Sequence, residues 1–316
     1  MVQRESRRSD MNISVQSGGL IRFWGYEEGY KMIREAGFDG IDWNIDGAWN
    51  GAEVKKKILN HCIFEDSLEE IQAHYKEELD AIHKNGLKIL QAHAPFPAYV
   101  PDFSEFNEYA IRIYQQCIRF CDSVGVKNLV IHGISQFLDD YSQTPESVQA
   151  MNYHLYESLI PVLQETNVTV CLENLFTHHG SQIIEGTCSV PEDAIQYIDN
   201  LNQKAGKECF GLCLDTGHLN LLGKNQGTYI RALGSRIKAL HVHDNNGDTD
   251  SHLAPYTGTI IWKDVIQALK DVNYSGDFNF ETFRQVTLDR VDPEMVPIWL
   301  KTIYDIGTVF VKKLEA

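Results

Sequence analysis

The sequence predicts a closed (β/α)8 barrel, and three observations carry that prediction. Eight short apolar or β-branched runs alternate with eight longer stretches of helical periodicity, the pattern of parallel βαβ units. The length of 316 residues suits one such barrel with insertions. The first strand is followed by QSGGLIRF, which offers only Gly18-Gly19 where an open doubly wound sheet usually carries a glycine-rich phosphate turn.

In chain order, the first expected strand is NISVQS (12–17), and the first helical stretch covers 27–36. GIDWNI (40–45) is the second strand; a helix over 67–85 follows, opened by Ser67 ahead of Leu-Glu-Glu and closed by Gly86. KILQAHA (88–94) precedes a helix over 105–124, and NLVIHG (128–133) precedes one over 147–165. VTVCLEN (168–174) leads to a helix over 191–202, which Pro191-Glu192-Asp193 opens because proline needs no N–H partner there and the acids suit the helix dipole. GLCLDTG (211–217), ALHVHD (239–244) and FNFE (278–281) complete the strands, with helices over 226–236, 262–272 and 294–314. No linker-like tract separates them, so 12–316 reads as a single barrel domain behind a disordered extension over 1–11.

Composition narrows the function classes. The chain is 43% hydrophobic and 23% charged, with 28 Lys+Arg against 44 Asp+Glu, a net charge of −16. An acidic balance argues against nucleic acid as a partner, because affinity for a polyanion rests on basic side chains. No apolar run is long enough to span a bilayer and MVQRESRRSD does not resemble a secretory signal, so a cytoplasmic location without a membrane partner is expected. Seven cysteines with no CxxC pair, including Cys117 and Cys121 on one expected helix, read as reduced, buried small hydrophobes.

The informative feature is where His, Asp and Glu fall. His93 ends the third strand, His132 the fourth and Glu173 the fifth. Asp215 and His218 follow the sixth, His241, His243 and Asp244 close the seventh, Glu281 ends the eighth, and Asp250 and His252 lie in the loop after the seventh. In a parallel barrel all strand C-termini open on one face, so these scattered residues are expected to meet there. Several carboxylates at one mouth repel each other unless a cation joins them, and imidazole with carboxylate suits a divalent ion such as Mn, Zn, Co or Fe better than a thiolate knot. His61, His74, His83 and His154 fall on or beside helices and read as surface, whereas His178 and His179 lie near the mouth. Trp43, Phe96 and Trp262 are aromatic residues near the expected mouth, available for stacking or for plain packing.

On LDTGH (214–218), HVHDNNGDTDSHLAPYTGTIIW (241–262), LEN (172–174) and FNFE (278–281), the chain resembles the xylose isomerase-like barrel superfamily of sugar-phosphate isomerases and epimerases, which also takes in apurinic endonucleases of the endonuclease IV type. The isomerase and epimerase branch implies one metal, Mg included among its choices, held by Glu173, Asp215, His241 and Glu281. In that branch Glu173 and Glu281 are also the catalytic proton carriers, and His218, His93, His179 and Trp43 are substrate-binding candidates. The endonuclease-like branch implies up to three ions, with His93, His132, His218, Asp250 and His252 as added ligands. The resemblance thus implies a metal-dependent isomerase or epimerase acting through an enediolate on a small sugar-like substrate, with a homo-oligomer left open. The alternatives are a three-metal phosphodiesterase and a non-catalytic module. The chain departs from the family in Tyr256-Thr257, which replace a usual Gly-Glu pair, and from the ketose 3-epimerase pattern in His179 and Gly247, which replace an acid and an Arg six positions beyond Glu173 and His241. Ketose 3-epimerisation specifically is therefore not implied.

Overall fold

A computed structural model describes residues 11–45, 49–135 and 143–316. Apart from Met11, the expected N-terminal extension lies outside the described residues. The strands are β1 (Ile13–Gln16), β2 (Gly40–Asn44), β3 (Lys88–His93), β4 (Asn128–Val130), β5 (Thr169–Glu173), β6 (Phe176–His179), β7 (Gln182–Glu185), β8 (Phe210–Asp215), β9 (Ile237–His241) and β10 (Phe278–Phe280). Eight of them form one parallel sheet in the order β10-β1-β2-β3-β4-β5-β8-β9. The ring closes where Val242 bridges to Phe280, with the Val242 N–H donating to the Asn279 carbonyl and the Glu281 N–H to that of Val242, each at 3.1 Å. The fold is thus the expected barrel, nearly closed and surrounded by helices.

The short, fully buried strands read as continuous apolar runs because one face meets the helices and the other fills the barrel. Helices α1 (Gly18–Ala36), α2 (Gly51–Val54), α3 (Leu68–His74), α4 (Lys76–Lys84), α5 (Ser104–Ser123), α6 (Pro145–Glu157), α7 (Ile160–Glu165), α8 (Pro191–Ala205), α9 (Thr216–Leu221), α10 (Gln226–Leu233), α11 (Trp262–Asp271) and α12 (Val296–Glu315) supply the outer layer and its loops. The cap at Ser67 forms: its Oγ accepts the Glu70 N–H at 3.3 Å, and Glu70 Oε2 accepts the Ser67 N–H at 3.0 Å.

Three helical expectations differ in extent. The stretch over 27–36 is the second half of α1, which leaves helical geometry at Gly25, where φ is 68° and ψ 176°. The stretch over 67–85 divides at Tyr75 into α3 and α4. That over 147–165 divides into α6 and α7, where Pro161 enters the first turn of the new helix because it cannot donate inside an old one. The hairpin β6–β7 was not expected; Gly180 at φ 58° makes its turn. All seven cysteines are buried and free. Among the described residues, no helix is long and apolar enough to cross a membrane.

Candidate functional site

The C-terminal strand ends deliver their side chains to one cavity of about 510 Å³. Its wall includes His93, His132, Glu173, His218, Asp250, His252 and Glu281, with Asn44, Lys55, Phe96, Phe176, His178 and Phe283 around them. The last residues of β3, β5, β8 and β9 are His93, Glu173, Asp215 and His241, and Glu281 directly follows β10.

At the centre, His241 Nδ1 lies 3.3 Å from Glu173 Oε1 and 3.5 Å from Glu281 Oε2. Glu173, Asp215 and His241 each offer one atom to a common point, all three side chains being buried. A second group forms beside it: His132 Nε2 is 2.9 Å from Glu173 Oε2 and 2.9 Å from His93 Nε2. A third lies across the mouth, where His218 Nε2 is 3.4 Å and His252 Nε2 3.0 Å from Asp250 Oδ2. Every residue expected as a metal ligand is therefore in this one cup.

His243 belongs to it as well. Its Nε2 sits 3.0 Å from Asp215 Oδ2, and its ring stacks on that of His252 with centroids 4.1 Å apart. The signal was present in H-x-H, since alternate residues of a strand point to the same side. The local fold of LDTGH explains how the ring fits. Asp215 caps α9 by accepting the His218 N–H at 2.6 Å, which turns His218 back toward the cavity, while the Thr216 hydroxyl donates to the His243 carbonyl at 2.7 Å. Gly217 then passes so close to the His243 ring that a Cβ there would lie 1.9 Å from it.

Three expected aromatic or imidazole contacts fall elsewhere. Trp43 is fully buried and packs on Tyr75 and Phe120, with ring centroids 5.2 and 5.6 Å away. Strand alternation is the reason: Asp42 and Asn44 face the barrel interior and its mouth, so the residue between them faces the helices. Trp262 is buried too, its indole N–H donating to Asp244 Oδ2 at 2.9 Å. His179 is exposed at the hairpin tip, and its neighbour His178 lines the cavity instead. Phe96 does face the cavity, edge-on to His93 at 5.6 Å.

Asp244 organises the following loop rather than the cup: it accepts the backbone N–H groups of Asn245, Ile260 and Tyr256 at 3.0, 3.1 and 3.1 Å. Within that loop Tyr256 has φ 71°, a left-handed conformation that favours glycine, so the chain keeps the backbone shape of the usual Gly although the residue has changed.

The electrostatics are strongly polarised. Burial and the adjacent His132 push His93 down to about 4. Burial works to lower His218, but Asp215, Asp250 and Glu173 outweigh it and raise the imidazole to about 10. Burial likewise opposes the charge on Glu173, yet His241 and His132 hold it well below the usual carboxylate range. Burial, aided by Asp215 and Glu173 against the pull of His241, pushes Glu281 up to about 8. Neighbouring carboxylates pushed apart in this way are the arrangement from which acid and base pairs are made.

A family model described as a xylose isomerase-like TIM barrel matches residues 30–301. An uncharacterised protein y4fM of Sinorhizobium fredii is 25% identical over 274 residues, covering 81% of this chain and 82% of that one. A D-psicose 3-epimerase of Enterocloster bolteae is 32% identical over 120 residues, 38% of this chain and 35% of its own length. The crystal structure of a D-tagatose 3-epimerase-like protein superposes with a TM-score of 0.69 at 18% identity, covering 97% of this chain and all of that one, a likeness of fold.

Proposed function

The chain belongs to the xylose isomerase-like TIM-barrel family, and on that premise we propose that it is a metal-dependent isomerase or epimerase of a small sugar-like substrate. The observation that carries this reading is the convergence of Glu173, Asp215 and His241, with Glu281 beside them, on one buried point at the barrel mouth. Three carboxylates and an imidazole without a thiolate pair fit a divalent cation such as Mn, Zn, Co, Fe or Mg. Glu173 Oε2 strengthens the fit: it is buried, and the His132 ring nitrogen near it is not aligned to donate a hydrogen bond. Bound there, the ion supplies Lewis-acid polarisation of a substrate carbonyl.

The chain's own residues divide the proton work. Glu173, held ionised, takes the proton from the carbon beside the carbonyl, leaving an enediolate. Glu281, held protonated, returns one to the substrate. His93, His132 and His218 face the space above them as partners for hydroxyl groups, and Phe96 and Phe283 narrow the mouth against water.

Metal-loaded protein incubated in deuterated water with a broad panel of ketoses and keto-sugars is expected to place deuterium beside the carbonyl of at least one of them. Glu281→Gln should lower that exchange about 10²- to 10⁴-fold, the usual contribution of one acid–base group. Absence of exchange across the whole panel would count decisively against the reading.

A second reading, hydrolysis of a phosphodiester, is favoured by one observation: His93–His132–Glu173 and His243–Asp250–His252 form further three-residue groups beside the central one. Metal content per chain separates the two, one ion agreeing with the isomerase and three with the phosphodiesterase. The net charge of −16 weighs against a duplex DNA substrate, and cleavage of a duplex carrying an abasic site would overrule that argument.

A further inference from the structure

We propose that Asp42, on the floor of the barrel, is a positioning residue that fixes His241 with its proton on Nε2 and so presents the Nδ1 lone pair to the cation. The inference rests on the reading of His241 as a cation ligand and adds to it the residue that sets which nitrogen binds.

Asp42 lies within β2 and is fully buried, and among the described residues its partners are two amides and an imidazole rather than a Lys or Arg. A buried carboxylate is costly unless its lone pairs are filled. Its Oδ2 accepts the side-chain amides of Gln91 at 2.9 Å and Asn279 at 3.0 Å, from β3 and β10. Asn279 in turn accepts the Ser14 hydroxyl at 2.8 Å, from β1. The same two amides also donate to the carbonyl of Leu240, at 3.3 and 3.1 Å. Four strands thus hold one carboxylate and tie it to the backbone one residue before His241.

His241 Nε2 stands 3.2 Å from Asp42 Oδ2. The contact has the length of a hydrogen bond but not its direction, and both His241 Nε2 and Asp42 Oδ1 are buried without an aligned partner. The carboxylate keeps acceptor capacity for an Nε2–H, since its Oδ1 is open while Oδ2 takes the two amides, whereas an unprotonated Nε2 would set a lone pair against a carboxylate 3.2 Å away. Nε2 therefore carries hydrogen, and Nδ1, hydrogen-bonded to Glu173 Oε1 at 3.3 Å and 3.5 Å from Glu281 Oε2, is the nitrogen whose proton a cation between these groups would replace. A carboxylate behind a metal-binding histidine sets ring orientation and basicity in general, and its loss typically weakens metal affinity about 10- to 100-fold.

The probe is Zn²⁺, whose affinity is measured by competition with a chelator for wild type and Asp42→Asn. The variant is expected to bind about 10- to 100-fold more weakly. Because the variant has a disturbed interior and can fail to fold, the second measurement uses zinc-loaded wild type labelled with ¹⁵N-histidine, the His241 signals being assigned by their loss in His241→Gln. Proton–nitrogen correlation is expected to show Nε2 protonated and Nδ1 bound. The opposite pattern, or unchanged zinc affinity in a folded Asp42→Asn, overturns the inference alone. Failure of wild type to take up zinc overturns it together with the functional reading beneath it.

Discussion

Replacing Gly217 with alanine tests how the cup is assembled, because the added methyl has nowhere to go. Built on the existing backbone, its carbon lies 1.9 Å from His243 Cε1, 2.4 Å from Nδ1 and 2.7 Å from Nε2. Ordinary contact between such atoms is about 3.5–4 Å, so ring and helix must separate by roughly 1.5 Å or more. The ring cannot simply retreat: it is fully buried, stacked on His252 at 4.1 Å and placed 3.0 Å from Asp215 Oδ2. Overpacking of this kind costs about 1–3 kcal/mol, and loss of a hydrogen bond to a charged group adds about 1.5–3 kcal/mol where the ring is expelled. We expect Gly217→Ala to lower stability by about 2–4 kcal/mol in urea denaturation and to weaken zinc binding. The His243→Ala background identifies the cause, since there the same methyl meets empty space and should cost less than about 1 kcal/mol. An equal cost in both backgrounds would refute the argument that Gly217 is small for the sake of this ring.

Other outcomes follow from the same geometry. Burial raises the pKa of Glu78 above the ordinary carboxylate value, against the opposing hydrogen bond from Tyr30, so the folded state holds that proton more tightly than the unfolded state. Its contribution therefore falls as pH rises from the unfolded pKa through the folded one. Glu78→Gln, which keeps an acceptor for Tyr30, should match wild type in melting temperature near pH 4 and exceed it near pH 7; the reverse trend would contradict the burial argument. Phe283 lines the cavity, as Phe96 does, and on the proposed function Phe283→Ala should raise KM for the sugar turned over while leaving metal content unchanged, which steady-state kinetics and elemental analysis check. Because His218 is raised to about 10, it carries a proton at pH 7 before a cation arrives. Metal uptake should then release protons and tighten with rising pH, and calorimetry in buffers of different ionisation enthalpy that detects no proton release would refute this.

The barrel and most of its cup were legible in sequence for a physical reason: strand ends in a parallel sheet share one face, so apolar runs that stop at His, Asp or Glu locate a site without any contact being known. Glu173, Asp215, His241 and Glu281 were found that way, and they do meet. What stayed hidden depends on alternation within a strand. Trp43 sits between two inward residues and so points outward, and Asp42, one position earlier, is the inward one that reaches His241. The same rule puts His243, expected at the mouth from the outset, on the inward side with His241. The hairpin β6–β7 escaped notice because its two strands are only four residues each and only partly buried or exposed, leaving little apolar pattern to read. The divisions of the long helices turn on single residues, such as Pro161, inside otherwise unbroken periodicity.

Two buried carboxylates at this end of the barrel show why the cup is more than a satisfied polar cluster. Asp244 is fully buried and receives three backbone N–H groups and the Trp262 indole N–H at 2.9–3.1 Å, so its lone pairs are filled by fixed donors. Such a residue shapes a loop and has little capacity left for a ligand. Glu173 is almost as buried, yet its neighbours are imidazoles, and its Oε2 has no aligned donor. Around it, groups a few ångströms apart are driven in opposite directions, His93 down to about 4 and His218 up to about 10. Burial and the neighbouring His132 lower the first while the carboxylates raise the second against burial, and a divalent ion would give the crowded carboxylates and imidazoles one shared partner. Position near the mouth is common to both carboxylates; the supply of donors is what separates the structural residue from the candidate ligand.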